Sequence, residues 1–147
     1  MLVIAAAAFG WALWGWRAAV LAVVAYLGIW AMDQGLRLAL FQPRPSPDLV
    51  RVAGHPPGSG FPSTFALVYA GTVGFVAVLV LTTGRAPRRM LLVAPCAALL
   101  LVGFGARVVL GAHWPSDVLL SYLLGLLWVS ALLAIERRLG RDAELPG

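Results

Sequence analysis

Four long apolar runs are the feature that most constrains how this chain can fold. They cover residues 18–41, 62–83, 90–111 and 115–135, with a shorter fifth run at 2–15. An apolar helix of about 20 residues crosses the ~30 Å hydrocarbon layer of a bilayer. Helices are the form such runs take in lipid, because they satisfy every backbone polar group internally. The sequence therefore predicts an all-α protein, a polytopic transmembrane helical bundle of four to five spans.

Composition supports the same class of protein. The chain is 61% hydrophobic and 12% charged, with a mean hydropathy of +0.90. A soluble domain of this size leaves about a third of its unfolded-chain surface exposed, so lipid has to cover the remaining apolar surface. The polar segments 42–61, 84–89 and 136–147 are short, and we expect residues 1–147 to form a single membrane domain.

The arginines give an orientation, since cytoplasmic loops of membrane proteins carry an excess of positive charge. If the spans alternate in direction, one side receives Arg17, Arg85, Arg88, Arg89, Arg137, Arg138 and Arg141, and the other receives Arg37, Arg44, Arg51 and Arg107. We expect the first group in the cytoplasm and the second facing the exterior or periplasm, in a bacterial inner or plasma membrane. The arginines form no continuous basic stripe, so no nucleic-acid partner is expected.

Few residues could hold a metal ion. Cys96 is the only cysteine, and His55 and His113 are the only histidines. This set makes a structural or catalytic zinc site improbable. We expect neither a metal nor another cofactor.

The second group of arginines lies near the ends of the apolar runs, where charge is costly and usually functional. A single arginine there more often snorkels to the interface. Arg37 lies near the end of one apolar run, seven residues before Arg44, whereas Arg107 precedes His113 and Asp117. Planar guanidinium groups bind phosphate oxygens bidentately and stabilise the charge of a transferring phosphoryl group. The pattern therefore favours a phosphate site.

The segment Pro62-Ser63-Thr64 is typical of a helix start. Free backbone N–H groups at such a start attract an anion. An ordinary capped helix start is the alternative, and the sequence leaves both open.

Three segments carry a family resemblance: RLALFQPRP at 37–45, PSTF at 62–65 and ARVVLGAHWPSD at 106–117. In order and spacing they resemble the three-part pattern of the PAP2 (type 2 phosphatidic acid phosphatase) superfamily, written K-x6-R-P, P-S-G-H and S-R-x5-H-x3-D. The resemblance extends from about residue 37 to residue 125. Members of this type commonly have six spans, so we expect the first helix of the usual six to be missing here.

The resemblance implies metal-independent hydrolysis of a membrane lipid phosphate. His113 would be the nucleophile that forms a phosphohistidine, and Asp117 would orient its ring. Phosphate would be bound by Arg37, Arg44, Ser63, Thr64 and Arg107.

Two positions depart from the pattern. Phe65 stands where the family has the histidine that protonates the leaving group, and Ala106 stands where it has serine. A lipid alkoxide is strongly basic and needs that proton, whereas a phosphate leaving group with a pKa of about 6 does not. Phe65 therefore favours a lipid diphosphate, such as an isoprenyl diphosphate, as substrate. Alternatively, His55 supplies the proton from the loop.

Several alternatives stay open at this point. A catalytically degenerate protein that binds phospholipid head groups, a phosphotransferase and a small transporter component all fit some of these features. A bundle of this size could also complete its lateral wall as a homodimer.

Overall fold

The chain folds into apolar helices, and one long loop, residues 40–63, separates two of them. The computed structural model describes residues 1–53, 57–83 and 86–142. The elements are α1 (Leu2–Trp14), α2 (Trp16–Ala39), α3 (Thr64–Tyr69), a π-helical stretch (Ala70–Gly74), α4 (Phe75–Thr83), α5 (Ala86–Val109) and α6 (Pro115–Asp142).

Four helical segments in the described part of the chain are long and apolar enough to cross a membrane. They are Trp16–Ala39, Thr64–Thr83, Arg89–Val109 and Pro115–Gly140. The second runs without interruption through α3, the π-helical stretch and α4. The prediction of an all-α bundle with four to five spans is confirmed, with Leu2–Trp14 as the shorter additional apolar helix.

Helix α1 forms a tight hairpin with α2. The turn is Gly15 alone, at φ 85°, a left-handed conformation that glycine adopts without steric cost. A Cβ at Gly10 would lie 3.3 Å from the backbone of Ala18. The two helices therefore approach closely through small residues, as membrane helices commonly do.

The span Thr64–Thr83 is the central helix. The most apolar 18-residue stretch of this span is 56% buried. The corresponding stretch of the span Arg89–Val109 is 11% buried, so that span lies mainly at the surface of the bundle. Glycines let α2 and α6 approach it. A Cβ at Gly71 would lie 2.5 Å from Ile29 Cγ1, and one at Gly125 would lie 2.5 Å from Ala70 Cβ.

The loop between α2 and α3 packs on the short turn between α5 and α6. Ala53 N donates to Leu110 O at 2.9 Å, and Trp114 Nε1 donates to Pro43 O at 3.1 Å. Gly111, at φ 62°, leaves no space for a side chain, since a Cβ there would lie 2.6 Å from Arg51 O. The loop and the turn together form one end of the bundle.

Candidate active site

His113 lies in the turn between α5 and α6 and is 3% exposed. Its Nδ1 lies 2.6 Å from Gly60 O, and its Nε2 lies 3.5 Å from Arg44 Nη1. A carbonyl oxygen accepts and a guanidinium donates, so both neighbours favour the tautomer with the proton on Nδ1. Nε2 then keeps its lone pair for a substrate.

The surroundings of His113 also keep its ring neutral. Burial, the largest cause, and the positive charges of Arg44, Arg107 and Arg37 together lower the pKa of His113 from 6.5 to about 4, against the opposing hydrogen bond to Gly60. Desolvation and like charge both disfavour the protonated imidazole. At neutral pH the ring is therefore an unprotonated, nucleophilic base.

Arg44 reaches this ring from the loop. Its Nη1 donates to Ala112 O at 2.7 Å and its Nε to Gly58 O at 3.3 Å. Burial lowers the pKa of Arg44 from its ordinary value, and the charges of Arg37 and Arg107 add to this effect. The charges of Arg37 and Arg107 act on Arg44, and all three charges act on His113. The three guanidinium groups therefore surround one region, a strongly anion-attracting arrangement.

Arg107 enters that region from the end of α5. Its Nε is buried and has no hydrogen-bond partner among the described residues, which is unusual for a guanidinium nitrogen. Its Cζ lies 5.2 Å from the centre of the Phe65 ring, a cation–π distance. Phe65 in turn stacks on Tyr69, with ring centres 4.3 Å apart. An aromatic pair therefore supports Arg107 and leaves its Nε–H available to an anion.

Arg37 is held by a network at the end of α2. Its Nε donates to Asp33 Oδ2 at 3.2 Å, while Nη2 donates to Pro62 O at 2.9 Å and to Thr64 Oγ1 at 2.6 Å. Thr64 Oγ1 donates to Asp33 Oδ1 at 2.9 Å. The hydroxyl of Thr64 is thus engaged in positioning Arg37. Its predicted phosphate contact would require a rearrangement of this network.

Ser63 occupies the N-cap position of α3. Its backbone N–H donates to Ser121 Oγ at 2.9 Å, so it is not a free donor for an anion. Its own Oγ makes no side-chain cap and is buried without a partner among the described residues. A buried hydroxyl in this state is uncommon in folded proteins.

Asp117 occupies a different position from the expected one. Its Oδ2 accepts from Trp114 N at 3.0 Å, whereas Gly60 O is the partner of His113 Nδ1. An acidic side chain in the first turn of a helix that bonds back to the N-cap N–H is half of a capping box. Asp117 therefore caps α6 and fixes the turn that carries His113. The direct orienting contact that we expected from Asp117 is made by Gly60 instead.

The structure adds residues that sequence reasoning missed, namely Ser59, Gly60 and Ser121. The sequence did contain one signal, because Gly58-Ser59-Gly60 is a glycine-rich segment next to a predicted helix start. His55, the alternative proton donor, lies outside the described residues. In the described part of the chain no group of three or more His, Cys, Asp or Glu side chains could hold a metal ion.

This geometry defines an integral membrane protein with a cluster of arginines around a neutral histidine. The sequence matches the PAP2 superfamily over residues 17–141. The chain belongs to this superfamily, whose members are generally phosphatases, and the family resemblance is confirmed. No curated protein and no solved structure matches the chain.

Proposed function

We propose that this protein hydrolyses a lipid diphosphate through a phosphohistidine formed on His113 Nε2. The observation that carries the proposal is a bare imidazole nitrogen in the region where three guanidinium groups converge. The buried Arg107 Nε and Ser63 Oγ support it, since both lack partners among the described residues. Preorganised donors of this kind stabilise a phosphoryl group as it transfers.

The reaction has two displacement steps. Nε2 attacks the terminal phosphorus, an N–P bond forms, and the bridging P–O bond breaks with its electron pair going to the lipid monophosphate. Water then attacks the phosphorus, and the N–P electron pair returns to Nε2. The water oxygen leaves in inorganic phosphate, and the excess proton passes to solvent. Arg44 lies 3.5 Å from Nε2, a weak contact that the phosphoryl group displaces.

The choice of a diphosphate rests on Phe65. A general acid is worth about 10²- to 10⁴-fold, or roughly 3 to 5 kcal/mol of barrier. The hydrophobic ring of Phe65 lies beneath Arg107, and it cannot donate a proton. A phosphate leaving group with a pKa of about 6 departs without protonation, whereas a lipid alkoxide does not. An isoprenyl diphosphate fits this requirement and the membrane setting.

The positive-inside rule supports an exterior or periplasmic site. Arg17 and Arg89 lie at the opposite ends of their helices from Arg37 and Arg107 respectively. Substrate would then enter from the outer leaflet, with its phosphates at the helix ends and its hydrocarbon chain in the lipid.

The test is phosphate release by the purified protein in detergent with EDTA, from an isoprenyl diphosphate and from a phosphatidic acid, beside His113→Ala. Release from the diphosphate that is lost in His113→Ala supports the proposal. Release that survives in His113→Ala contradicts it, because the phosphohistidine requires this ring.

A second candidate is a protein that binds phospholipid head groups without turning them over. Phe65 and Ala106 favour it, since both replace polar residues of the family pattern. Its expected result is that neither substrate releases phosphate, while anionic lipid vesicles still bind the wild type and bind Arg107→Gln less tightly.

A further inference from the structure

We propose that the backbone carbonyl of Gly60, and not the carboxylate of Asp117, orients the nucleophile His113. Gly60 is then a positioning residue of the active site. This inference rests on the proposed function and deepens it. The contact that carries it is the 2.6 Å separation between His113 Nδ1 and Gly60 O.

The carbonyl is held in place by a network in the α2–α3 loop. Gly60 N donates to Gln42 O at 2.6 Å. Ser59 Oγ donates to Phe61 O at 2.6 Å and accepts from Gln42 N at 3.0 Å and from Phe61 N at 3.2 Å. Ser59 is 7% exposed, so the network is shielded from water. We call these four residues, 42 and 59–61, the loop clasp.

The clasp has little space for a side chain at its central position. A Cβ at Gly60 would lie 3.2 Å from Asp117 Oδ2, 3.2 Å from Gln42 O and 3.4 Å from Arg44 Cα. Contacts of 3.2 Å are tighter than those that Cβ atoms normally make. A larger residue therefore fits only if the clasp or a neighbour shifts by a few tenths of an ångström, and we expect that shift to disturb the carbonyl that faces His113.

The carboxylate of Asp117 accepts its hydrogen bond from the backbone and not from His113. Its Oδ2 bonds to Trp114 N at 3.0 Å, and the backbone N–H of Asp117 donates to Trp114 O at 3.0 Å. Asp117 thus stabilises the first turn of α6 and is linked to His113 through the adjacent residue, while its charge acts on Arg44. The cap on Trp114 N needs an acceptor oxygen at the side chain and does not need a negative charge.

Orientation of His113 by Gly60 and orientation by Asp117 predict different outcomes for Asp117→Asn. Asparagine keeps an acceptor oxygen for Trp114 N, so Asp117→Asn should preserve the turn and the ring. In a true His–Asp pair, exchange of carboxylate for amide leaves the wrong tautomer and costs about 10⁴-fold in turnover. A loss smaller than about 100-fold supports the proposal, and a larger loss overturns it.

The tautomer gives a readout that is independent of turnover. The chain has two histidines, so the ¹⁵N signals of His113 in a histidine-labelled sample can be assigned by their persistence in His55→Gln. We expect a protonated Nδ1 and a bare Nε2, both in the wild type and in Asp117→Asn. A change of tautomer in Asp117→Asn overturns the proposal.

Gly60→Ala is the complementary perturbation, with Gly35→Ala as a matched control. A Cβ at Gly35 meets nothing within 4 Å. Gly60→Ala should lower kcat at least tenfold, and His113 should no longer be held in the Nδ1-protonated tautomer alone. Gly35→Ala should keep the wild-type kcat and the wild-type tautomer. Retention of the tautomer and of kcat in Gly60→Ala overturns the proposal. Asp117→Asn remains decisive if Gly60→Ala does not fold.

Failure of the proposed function is distinguishable from failure of this inference. If the wild type releases no phosphate from either lipid, the hydrolase proposal fails. The positioning of His113 by Gly60 is still decided by the ¹⁵N tautomer in Asp117→Asn and Gly60→Ala.

Discussion

Phe65→His should give the protein activity against a lipid phosphomonoester. Phe65 is the second residue of α3, and its ring centre lies 5.2 Å from Arg107 Cζ. An imidazole at this position would lie beside the guanidinium that is proposed to hold the phosphate. It could then protonate the leaving oxygen of a substrate whose alkoxide is otherwise too basic to depart.

The size of the effect follows from opposing contributions. A general acid contributes about 10²- to 10⁴-fold to turnover of the monophosphate. Loss of the phenyl ring removes a cation–π contact worth about 0.5–2 kcal/mol and a stacking contact with Tyr69 worth about 0.5–1.5 kcal/mol. These losses weaken Arg107 for both substrates alike. In the ratio of monophosphate to diphosphate turnover the two contact losses cancel, so this ratio should rise by about 10²- to 10⁴-fold.

The assay is phosphate release from a phosphatidic acid and an isoprenyl diphosphate by wild type, Phe65→His and Phe65→Leu. Phe65→Leu removes the aromatic ring without adding an acid, so its ratio should stay at the wild-type value. Measurements at about pH 5.5 and about pH 7 are both needed. Neighbouring arginines disfavour a protonated imidazole, so the gain should be larger at the lower pH.

A clear result would refute this reasoning. If Phe65→His keeps its diphosphatase activity but shows the wild-type ratio at both pH values, a missing general acid is not what limits monophosphate turnover. Equal turnover of both substrates by the wild type would also contradict the explanation.

Two further predictions concern pH and packing. The ring of His113, followed by ¹³C or ¹⁵N shifts, should titrate near its lowered pKa of about 4, and titration at 6.5 or above would contradict the buried, cation-flanked site. Because the unfolded state binds this proton below pH 6.5 and the folded state does not, thermal stability should fall as the pH drops from about 6.5 towards 4. Gly125→Ala should destabilise the fold by about 1–3 kcal/mol through overpacking, since its Cβ would lie 2.5 Å from Ala70 Cβ. Gly35→Ala, where the space is open, should not lower the melting temperature in detergent, and an equal loss in both variants would contradict the packing argument.

Hydrophobic run length was enough to predict the membrane helices. The predicted run at 62–83 corresponds to the helical span Thr64–Thr83, and the run at 115–135 to the first three quarters of α6. Run length does not fix helix ends, because capping and the aqueous interface set them. Thus α6 continues past its apolar run to Asp142, and the π-helical stretch at Ala70–Gly74 has no signal in the hydrophobic pattern.

Chemistry-bearing residues of the site were also readable from the sequence, but their pairings were not. The arginines and His113 stand out because charge near membrane depth is rare. The bond between His113 and Gly60 joins residues 53 positions apart and uses a backbone oxygen, which carries no residue-type signature. The family resemblance suggested Asp117 as the partner of His113. His113 precedes α6, which begins at Pro115.

The long-range bonds of the site have a consequence for biosynthesis. The loop of residues 40–63 leaves the ribosome well before the turn at 110–114, yet Arg44 Nη1, Gly60 O and Ser63 N each find their partner at Ala112, His113 or Ser121. A nascent chain that has inserted only α1 to α5 lacks Ser121, so Ser63 N would have no partner there, and the turn that carries His113 would have no helix after it. We therefore expect the candidate site to be complete only when α6 has joined the bundle.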